Sequence, residues 1–345
     1  MRAAYLTAPG RFELRDVPDP ELRGATDVRL RLSAVGVCGS DLHYYRTGRI
    51  GNQALSAPWI MGHECTAVVE SVGAEVRGLA RGDRVAVDPL IACGKCDQCR
   101  SGRANTCRQQ RFLGCPNQQH GCMCDLLVMP AECCFKVPAH MSAGSAVMVE
   151  PFAIALHAQR LWGAPAGKAV GVLGAGPVGL CVLGALRLGQ AGATAVTDRL
   201  DYRLDMARAL GAASTHHAER SDVVREILGQ HPNGLDAVFD CSGDQAALDR
   251  AVDLLAPGGS LVVVGIPEAD RVSFDINALR RKEISILNVR RQNDCTQEAV
   301  DLLASGALDL DPVVTHHFGF SESSAAFELV ANYRDRVQKA LIYLD

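Results

Sequence analysis

A glycine-rich turn between an apolar strand and a helix constrains the fold of this chain more than any other feature. Residues 169–173 read AVGVL, residues 174–179 read GAGPVG, and residues 180–189 can continue as a helix. Glycines at this spacing permit a tight turn and bring backbone N–H groups close to a pyrophosphate at the helix start. In this strand–turn–helix context the pattern predicts a dinucleotide-binding βαβ unit. The turn residues expected to bind the cofactor are Gly174, Gly176, Pro177, Val178 and Gly179.

The next apolar strand, residues 193–198, favours NAD over NADP as the dinucleotide. It ends at Asp198, nineteen residues after Gly179. A carboxylate there accepts hydrogen bonds from the adenosine ribose and repels a 2′-phosphate. Arg199 and Arg203 follow closely and can accommodate a phosphate, so NADP remains the less favoured alternative. Further along the chain, the cofactor contacts are expected to include Gly265, Ile266 and Val289.

Four cysteines with short spacing, C-x2-C-x2-C-x7-C, predict a structural zinc site in a polar lobe at residues 90–110. They are Cys93, Cys96, Cys99 and Cys107. Four thiolates complete a tetrahedron around zinc and leave no open position for a substrate. A disulfide pair and a four-thiolate iron–sulfur cluster are the alternatives, but the motifs around the lobe favour zinc.

A second set of ligand-type residues predicts a catalytic metal site. Cys38 follows a stretch in which apolar and polar residues alternate, as in a strand. His63 and Glu64 follow Gly62, which suits a sharp turn, and Glu150 precedes a proline. A catalytic zinc has fewer permanent protein ligands and an open position for water or substrate. The alternative for Glu150 is a carboxylate at a helix start, where it would complement the helix dipole.

Composition indicates a large enzyme in a reducing compartment. A chain of 345 residues corresponds to about two domains. Its net charge of −4 provides no basic surface for nucleic acid. The fourteen cysteines would be hazardous as free thiols in an oxidising compartment, which predicts a cytoplasmic protein.

No membrane segment is predicted. Residues 169–186 are uncharged and could suggest a span, but their glycines and Pro177 favour a buried strand–turn–helix. The N-terminal residues meet charges too early for the apolar region of a signal peptide.

The secondary-structure pattern changes near residue 150. Short β patterns and turns come before it, and strands then alternate with helical stretches until about residue 288. This alternation predicts an α/β fold with a doubly wound parallel sheet that binds the cofactor at its carboxyl edge. The tail predicts two helices, in QEAVDLLASGALDL and SESSAAFELVANYRD, and a closing strand in KALIYLD.

Together these motifs resemble the zinc-containing medium-chain dehydrogenase/reductase family over essentially the whole chain. The matching elements are VGVCGSDLHYY, GHE, GDRVAV, the four-cysteine lobe, VEPFAIALHA and GAGPVG. The resemblance implies a GroES-like, β-rich catalytic domain from residues 1–152 and 289–345, with a Rossmann domain at 153–288 inserted. It also implies a cleft between the domains and a homodimer or homotetramer.

Within the family, the chain is most similar to the polyol branch, which includes sorbitol, xylitol and L-idonate dehydrogenases. By that resemblance Cys38, His63 and Glu64 bind the catalytic zinc, while Glu150 either ligates it or holds its water. The reaction it implies is oxidation of a secondary hydroxyl of a polyol or sugar acid by hydride transfer to NAD. The remaining residues implied by the resemblance are Ser40 and His43 in a proton relay, and Tyr44, Arg290 and Arg291 in the substrate pocket.

Two departures from the branch concern the pocket. Arg291 replaces an aromatic residue of sorbitol dehydrogenases, and adjacent side chains of an extended segment would point oppositely, so that one arginine faces the pocket. The segment 120–130, HGCMCDLLVMP, lacks the usual glycine pair and Glu-Tyr. Its Cys122, like nearby Cys115, is interpreted as a small buried hydrophobe.

Two other functions are weighed against polyol oxidation. Threonine 3-dehydrogenase is one, because GIPEAD and LDLDPVVTHHF are similar to that branch. A non-catalytic NAD(P)H-binding relative is the other, and the retained Cys38, Ser40, His63 and Glu64 argue against it.

Overall fold

The computed structural model describes residues 1–344, which form two compact units. Unit 1 comprises Met1–Glu150 together with the chain from Thr296 onward, and unit 2 comprises Pro151–Cys295. Unit 1 contains short, mainly antiparallel strands, and unit 2 contains a parallel sheet with intervening helices.

The first part of unit 1 is rich in strands. Its strands are β1 (Arg2–Ala8), β2 (Arg11–Asp16), β3 (Asp27–Gly36), β4 (Arg49–Ile50), β5 (Gln53–Ala54), β6 (Trp59–Ile60), β7 (Glu64–Val72), β8 (Arg84–Val87), β9 (Leu90–Ile91), β10 (Arg111–Phe112), β11 (Leu126–Pro130) and β12 (Cys134–Lys136). The helices that begin in this part are α1 (Gly39–Thr47), α2 (Asp97–Arg100) and α3 (Ala143–Trp162). Along most of β3 buried residues alternate with more exposed ones, as expected for a strand with one face toward a core.

Unit 2 has the doubly wound arrangement that the sequence predicts. Its strands are β13 (Ala169–Leu173), β14 (Ala193–Asp198), β15 (Ser214–His217), β16 (Leu235–Asp240), β17 (Leu255–Val263) and β18 (Ser285–Asn288). Its helices are α4 (Pro177–Leu188), α5 (Asp201–Ala209), α6 (Val223–Gln230), α7 (Gln245–Leu254) and α8 (Ile276–Lys282). All neighbouring strands are parallel, in the order β15-β14-β13-β16-β17-β18. The central strands are buried along nearly their whole length because helices cover both faces of such a sheet.

The apolar stretch at residues 169–186 is confirmed as strand, turn and helix. Within residues 1–344, no helix combines the length and the apolar character needed to cross a membrane.

The tail completes the main sheet of unit 1. Its elements are α9 (Thr296–Ala304), β19 (Val314–Gly319), α10 (Ser323–Ala331) and β20 (Lys339–Tyr343). The predicted tail helices and closing strand are therefore confirmed, with shorter bounds. Strand β20 pairs antiparallel with β3 and parallel with β19. The sheet order is β12-β8-β7-β3-β20-β19, with β11 also paired to β3.

Three aromatic side chains fix helix α1 within unit 1. Phe12 of β2, Tyr45 of α1 and Phe327 of α10 are in mutual contact, with ring centroids 4.7–5.9 Å apart. Such pairs contribute about 0.5–1.5 kcal/mol each beyond the area they bury. This packing fixes the last turn of α1, the helix that begins just after Cys38, against β2 and α10.

Candidate metal and dinucleotide sites

The predicted catalytic ligands Cys38, His63 and Glu64 come together at the ends of two paired strands. Cys38 precedes helix α1 and follows β3. Glu64 is the first residue of β7 and pairs with Gly36 of β3. The potential ligand atoms of the three side chains all lie within 4.8 Å of one another. The neighbouring strand ends therefore form a compact sulfur–nitrogen–oxygen donor set.

His63 is oriented by Asp41 of helix α1. Asp41 Oδ1 lies 3.3 Å from His63 Nδ1, and both residues are buried. This contact leaves Nε2 facing Ser40 Oγ, 3.4 Å away. The Phe112 ring lies against the imidazole, with centroids 5.4 Å apart. A carboxylate on one ring nitrogen fixes the direction of the other, as is usual for metal-binding histidines.

Glu150 lies well inside helix α3, which begins at Ala143. The alternative that it is a helix-start carboxylate is therefore wrong. Its side chain is buried, and its Oε2 has no hydrogen-bond partner among residues 1–344. Burial, together with the nearby Glu64 carboxylate, raises the pKa of Glu150 to about 8 against the opposing influence of His63 and Lys339. An orphaned buried carboxylate beside the donor set is what a metal or its bound water would satisfy.

Lys339 is a buried cation at the same site. It begins strand β20, is 1% exposed, and forms an ion pair with Glu64 Oε2. Gly36 lies on the strand between them: a Cβ there would approach Glu64 Oε2 to 2.5 Å and Lys339 Cε to 3.0 Å. The absence of a side chain at residue 36 is thus what allows the ion pair to form across β3.

The electrostatics of the donor set fit a divalent cation. Burial, and then the Glu64 carboxylate, raises the pKa of the Cys38 thiol. Burial lowers the pKa of His63, but Asp41 and Cys38 more than offset this, and the pKa lies well above its ordinary value. Both shifts reflect anionic groups crowded in a buried space. A thiolate, an imidazole and carboxylates are ligands that zinc accepts, so these residues fit the metal.

Ser40 places a hydroxyl beside the donor set. Its Oγ lies 3.3 Å from Cys38 Sγ as well as 3.4 Å from His63 Nε2. His43 lies one turn further along α1 and is half-buried. The two side chains are therefore candidates for carrying a proton away from the metal.

The unusual segment at 120–124 supports the residues just before His63. Cys122 N donates to Gly62 O at 3.0 Å, and Met123 N donates to Met61 O at 3.0 Å. Cys122 and Cys115 are buried, which confirms their interpretation as small apolar side chains. The backbone hydrogen bonds of this segment thus fix the residues that lead to the metal ligand His63.

The four-cysteine lobe has the geometry of a closed metal site. The four sulfur atoms lie within 4.8 Å of one another, with Cys96 Sγ 3.6 Å from Cys99 Sγ and 3.9 Å from Cys107 Sγ. These separations exceed a disulfide bond, and all fourteen cysteines are free thiols. Backbone N–H groups of Cys99 and Arg108 lower the pKa of Cys96 to about 6. Gly94 and Gly102 have φ of 68° and 76°, which lets the loop wrap around one point.

The glycine turn between β13 and α4 has no room for side chains at its first and last glycines. A Cβ on Gly174 would approach Ser242 N to 3.0 Å, and one on Gly179 would approach Gly174 O to 1.9 Å. Gly174 also has φ of 101°. Gly176 precedes α4, and Pro177 begins it. This close packing exposes helix-start N–H groups at the carboxyl edge of the sheet, where a pyrophosphate can bind.

Asp198 is held rigidly at the end of β14. Its Oδ2 accepts a hydrogen bond from Ala175 N at 2.8 Å, and its Oδ1 accepts one from Leu200 N at 3.0 Å. Arg203 Nη1 lies 3.8 Å from the same carboxylate. The Asp198 carboxylate and the Arg203 guanidinium are thus neighbours beside the glycine turn. Of the other predicted cofactor contacts, Gly265 packs on Gly243, Ile266 is exposed, and Val289 N donates to Val263 O at 2.9 Å.

The predicted substrate residues lie in both units. In unit 1, Tyr44 is buried, and its hydroxyl lies 3.5 Å from Gln53 Oε1. In unit 2, Arg290 and Arg291 follow the end of β18. Arg291 has φ of 54° and lies in the left-handed region, so the alternation expected of an extended segment does not hold there.

Sequence reasoning missed three residues of the metal site: Asp41, Lys339 and Gly36. A lysine at the start of an otherwise apolar strand, in KALIYLD, was the available signal for Lys339. Asp41 stands three residues from Cys38, within reach of a neighbouring ligand on the same turn. Nothing local marked Gly36, because its role depends on residues from two other strands.

Comparisons with known proteins show which family the chain is similar to. Residues 24–139 match the alcohol dehydrogenase GroES-like domain, and residues 177–305 match the zinc-binding dehydrogenase family. Sorbitol dehydrogenase of Bacillus subtilis is 32% identical over 99% of this chain and 97% of its own length. L-idonate 5-dehydrogenase of Vitis vinifera is 33% identical over 95% of this chain and 91% of its own. The structure of alcohol dehydrogenase TADH from Thermus sp. ATN1 superposes with a TM-score of 0.90 at 28% identity and covers both chains fully.

Proposed function

The chain belongs to the zinc-dependent alcohol dehydrogenase family, and we propose that it oxidises a secondary hydroxyl of a polyol or sugar acid to a ketone with NAD. The observation that carries this proposal is the open donor set. Cys38, His63 and Glu64 converge, and Oε2 of a fourth potential ligand, the buried Glu150, has no hydrogen-bond partner in the described chain. Three ligands with an adjacent, exchangeable fourth leave a position for a substrate hydroxyl, unlike the closed lobe of four cysteines.

The reaction follows from what each side chain does. Zinc, when held by these residues, is a Lewis acid that lowers the pKa of a hydroxyl. Ser40 lies beside the donor set and would accept the proton of the substrate hydroxyl while it gives up its own proton in the direction of His43. His43 passes that proton to solvent, since an imidazole titrates near neutral pH. A nicotinamide dinucleotide bound at the turn 174–179 would accept the hydride of the hydroxyl carbon, and Glu150 would ligate the metal or hold its water.

For the cofactor, we propose NAD bound at the turn 174–179, with Asp198 accepting hydrogen bonds from the adenosine ribose. The support is the position of Asp198 at the end of β14 and its fixation by Ala175 and Leu200. Arg203 stays close enough to this carboxylate to interact with a phosphate if the acid is removed.

Replacing Asp198 by alanine or asparagine should shift the preference toward NADP. Removal of the carboxylate abolishes its repulsion of a 2′-phosphate, and the guanidinium of Arg203 remains nearby to attract that phosphate. We expect the ratio of kcat/KM for NADP to that for NAD to rise at least about tenfold, which corresponds to roughly 1.4 kcal/mol. Steady-state kinetics with both dinucleotides provide the measurement.

The two variants separate charge from structure. Asparagine can still accept one of the two backbone hydrogen bonds, so its turn should be more stable than that of the alanine variant. The double variant Asp198→Asn with Arg203→Gln should lose most of the gain in NADP use. A wild-type enzyme that already prefers NADP would refute the role assigned to Asp198.

For the substrate, the named relatives support a polyol or a sugar acid over threonine. One acts on sorbitol and another on L-idonate, by their names. Arg290 and Arg291 supply donors that suit several hydroxyls or one carboxylate. The decisive experiment is a panel of alditols, aldonates, inositols and threonine, assayed with NAD by NADH formation. Turnover of threonine alone would overturn the proposal.

Alanine at Arg290 or Arg291 should weaken substrate binding without affecting metal or NAD. Loss of a charge-assisted hydrogen bond costs about 1.5–3 kcal/mol, so we expect KM to rise about ten- to hundredfold. If the partner is a carboxylate, the increase should be greater for an aldonate than for the matching alditol. The matched control is Arg225→Ala, which removes an exposed arginine of α6 in the same unit.

The comparison of aldonate with alditol has three possible outcomes. Equal losses for aldonate and alditol indicate hydroxyl recognition and favour a plain polyol. A larger loss for the aldonate supports a sugar acid. If neither variant differs from Arg225→Ala, neither arginine binds substrate and the sugar-acid form of the proposal fails.

We also propose a cytoplasmic homodimer or homotetramer. Free thiols throughout the chain are suited to a reducing compartment. Strand β18 is an edge of the parallel sheet, and Ile286 on it and Ile276 on α8 are exposed. An exposed sheet edge is a template for pairing with another chain, and exposed apolar side chains beside it favour such a contact. Sedimentation of the purified enzyme distinguishes the two assemblies.

A further inference from the structure

A buried lysine beside a metal ligand has no role in the reaction described so far. Lys339 is 1% exposed and forms an ion pair with the carboxylate of Glu64, which is also 1% exposed. An isolated ammonium in such a place is costly, so the pair is retained only where the charges compensate each other. Because Glu64 is also one of three side chains converging on the metal position, its carboxylate has two competing partners.

We propose that Lys339 is a positioning residue that competes with the metal for Glu64 and so keeps the catalytic site open. When Lys339 holds the Glu64 carboxylate, Cys38 and His63 remain as permanent ligands and the other positions stay exchangeable. Without the ammonium, Glu64 and Glu150 would both bind permanently, and four protein ligands would close the site. The inference rests on the proposed metal site and adds a residue that controls its coordination.

Gly36 leaves the space in which the side chains of Glu64 and Lys339 meet. Glu64 on β7 pairs with Gly36 on β3, and Leu341 on β20 pairs with the same glycine from the other side. Any side chain at residue 36 would collide with both Glu64 Oε2 and Lys339 Cε. Two side chains from strands on opposite sides of β3 therefore meet over the one residue that leaves them space.

The charges in the site make this competition effective. A thiolate and two carboxylates around a divalent cation would leave one net negative charge in a buried place. Lys339 cancels that charge, since its ammonium lies against Glu64 and close enough to Cys38 and Glu150 to interact with them. Glu150 Oε2, which has no hydrogen-bond partner in residues 1–344, can take the position that Glu64 gives up.

The test compares zinc release from wild type and Lys339 variants of the full-length enzyme. Release to a coloured chelator is followed in time, and the phase that belongs to the catalytic site is the one absent in Cys38→Ser. Lys339→Met has a similar length and no charge, so Glu64 should stay on the metal. We expect its release to be slower by on the order of tenfold, the lower end of typical outer-shell effects. Its kcat should fall while the Kd for NADH stays unchanged.

Two further variants keep the test decisive if Lys339→Met folds poorly. Lys339→Arg retains the charge and can hold the carboxylate through two hydrogen bonds, so release should be faster than in wild type. In a Glu64→Gln background, Lys339→Met should no longer slow release, because the contested carboxylate is gone. In cobalt-substituted enzyme, addition of a metal-binding anion should change the visible d–d bands of wild type but not those of Lys339→Met at the catalytic site, because four protein ligands leave no position for the anion.

The outcomes separate this inference from the proposed function. Unchanged or faster release in Lys339→Met, or unchanged or slower release in Lys339→Arg, would overturn the competition. A wild-type protein with zinc only in the four-cysteine lobe would instead overturn the proposed catalytic site itself. Slower release for methionine and faster release for arginine, both dependent on Glu64, would establish the role of Lys339.

Discussion

Replacement of Cys38 by serine is expected to abolish alcohol oxidation while leaving a folded protein. The thiolate is the only sulfur donor of the set it forms with His63 and Glu64, and a serine hydroxyl is a poor replacement for it. Polarisation of the hydroxyl by the metal lowers the activation free energy by several kcal/mol. Because this stabilisation is lost, we expect kcat to fall about a thousandfold or more. Zinc content should fall from two ions per chain to one, the ion of the four-cysteine lobe.

The measurements are NADH formation, metal analysis and thermal unfolding on the same preparation. Cys134→Ala is the matched control, because it removes a buried thiol from β12 in the same unit that is not part of either donor set. The control should keep both metals and most of the activity. A Cys38→Ser protein with two bound zinc ions and normal turnover would contradict the assignment.

Replacement of Cys93 by serine should have the opposite profile, with a large loss of stability and a small loss of turnover per folded molecule. Zinc binding by a closed thiolate site is coupled to folding and provides about 10–16 kcal/mol in small zinc-finger peptides. Loss of one of four thiolates should therefore cost at least about 3 kcal/mol in unfolding free energy and lower Tm by on the order of 5 °C. The lobe itself, which the Asp97–Arg108 ion pair closes, should be the first part of the protein to lose protection from amide hydrogen exchange.

Yield of soluble protein, Tm and kcat per zinc-replete molecule are the three readouts. The neighbouring buried thiol Cys115 provides the control, since Cys115→Ser changes the same atom type just beyond the lobe. A stable, zinc-replete Cys93→Ser protein without turnover would show that the lobe serves catalysis, and the division between the two sites would be wrong.

Local patterns predicted much of the fold and most of the donor atoms. The glycine turn at 174–179 and the four-cysteine lobe are each encoded within a few residues, so spacing alone carries the geometry. The ligand set of Cys38, His63 and Glu64 was also marked locally, by a strand end and a turn.

Features that depend on strand pairing were not predictable in the same way. The meeting of Glu64 with Lys339 requires the register of three strands, and Gly36 matters only because of what stands on either side of it. The left-handed backbone of Arg291 had no signal either, because such a conformation in a residue other than glycine is imposed by the surrounding structure.

The pairing of β20 with β3 has a consequence for how the enzyme matures. The four cysteines of the lobe lie within fifteen consecutive positions, from Cys93 to Cys107. A nascent chain can therefore bind zinc there soon after that segment has been synthesised. The other site draws on residues near positions 36, 64, 150 and 339, and its contacts are among the most distant in the chain. The first site can therefore be loaded during translation, whereas the second reaches its final arrangement, with Lys339 against Glu64, only after β20 has docked.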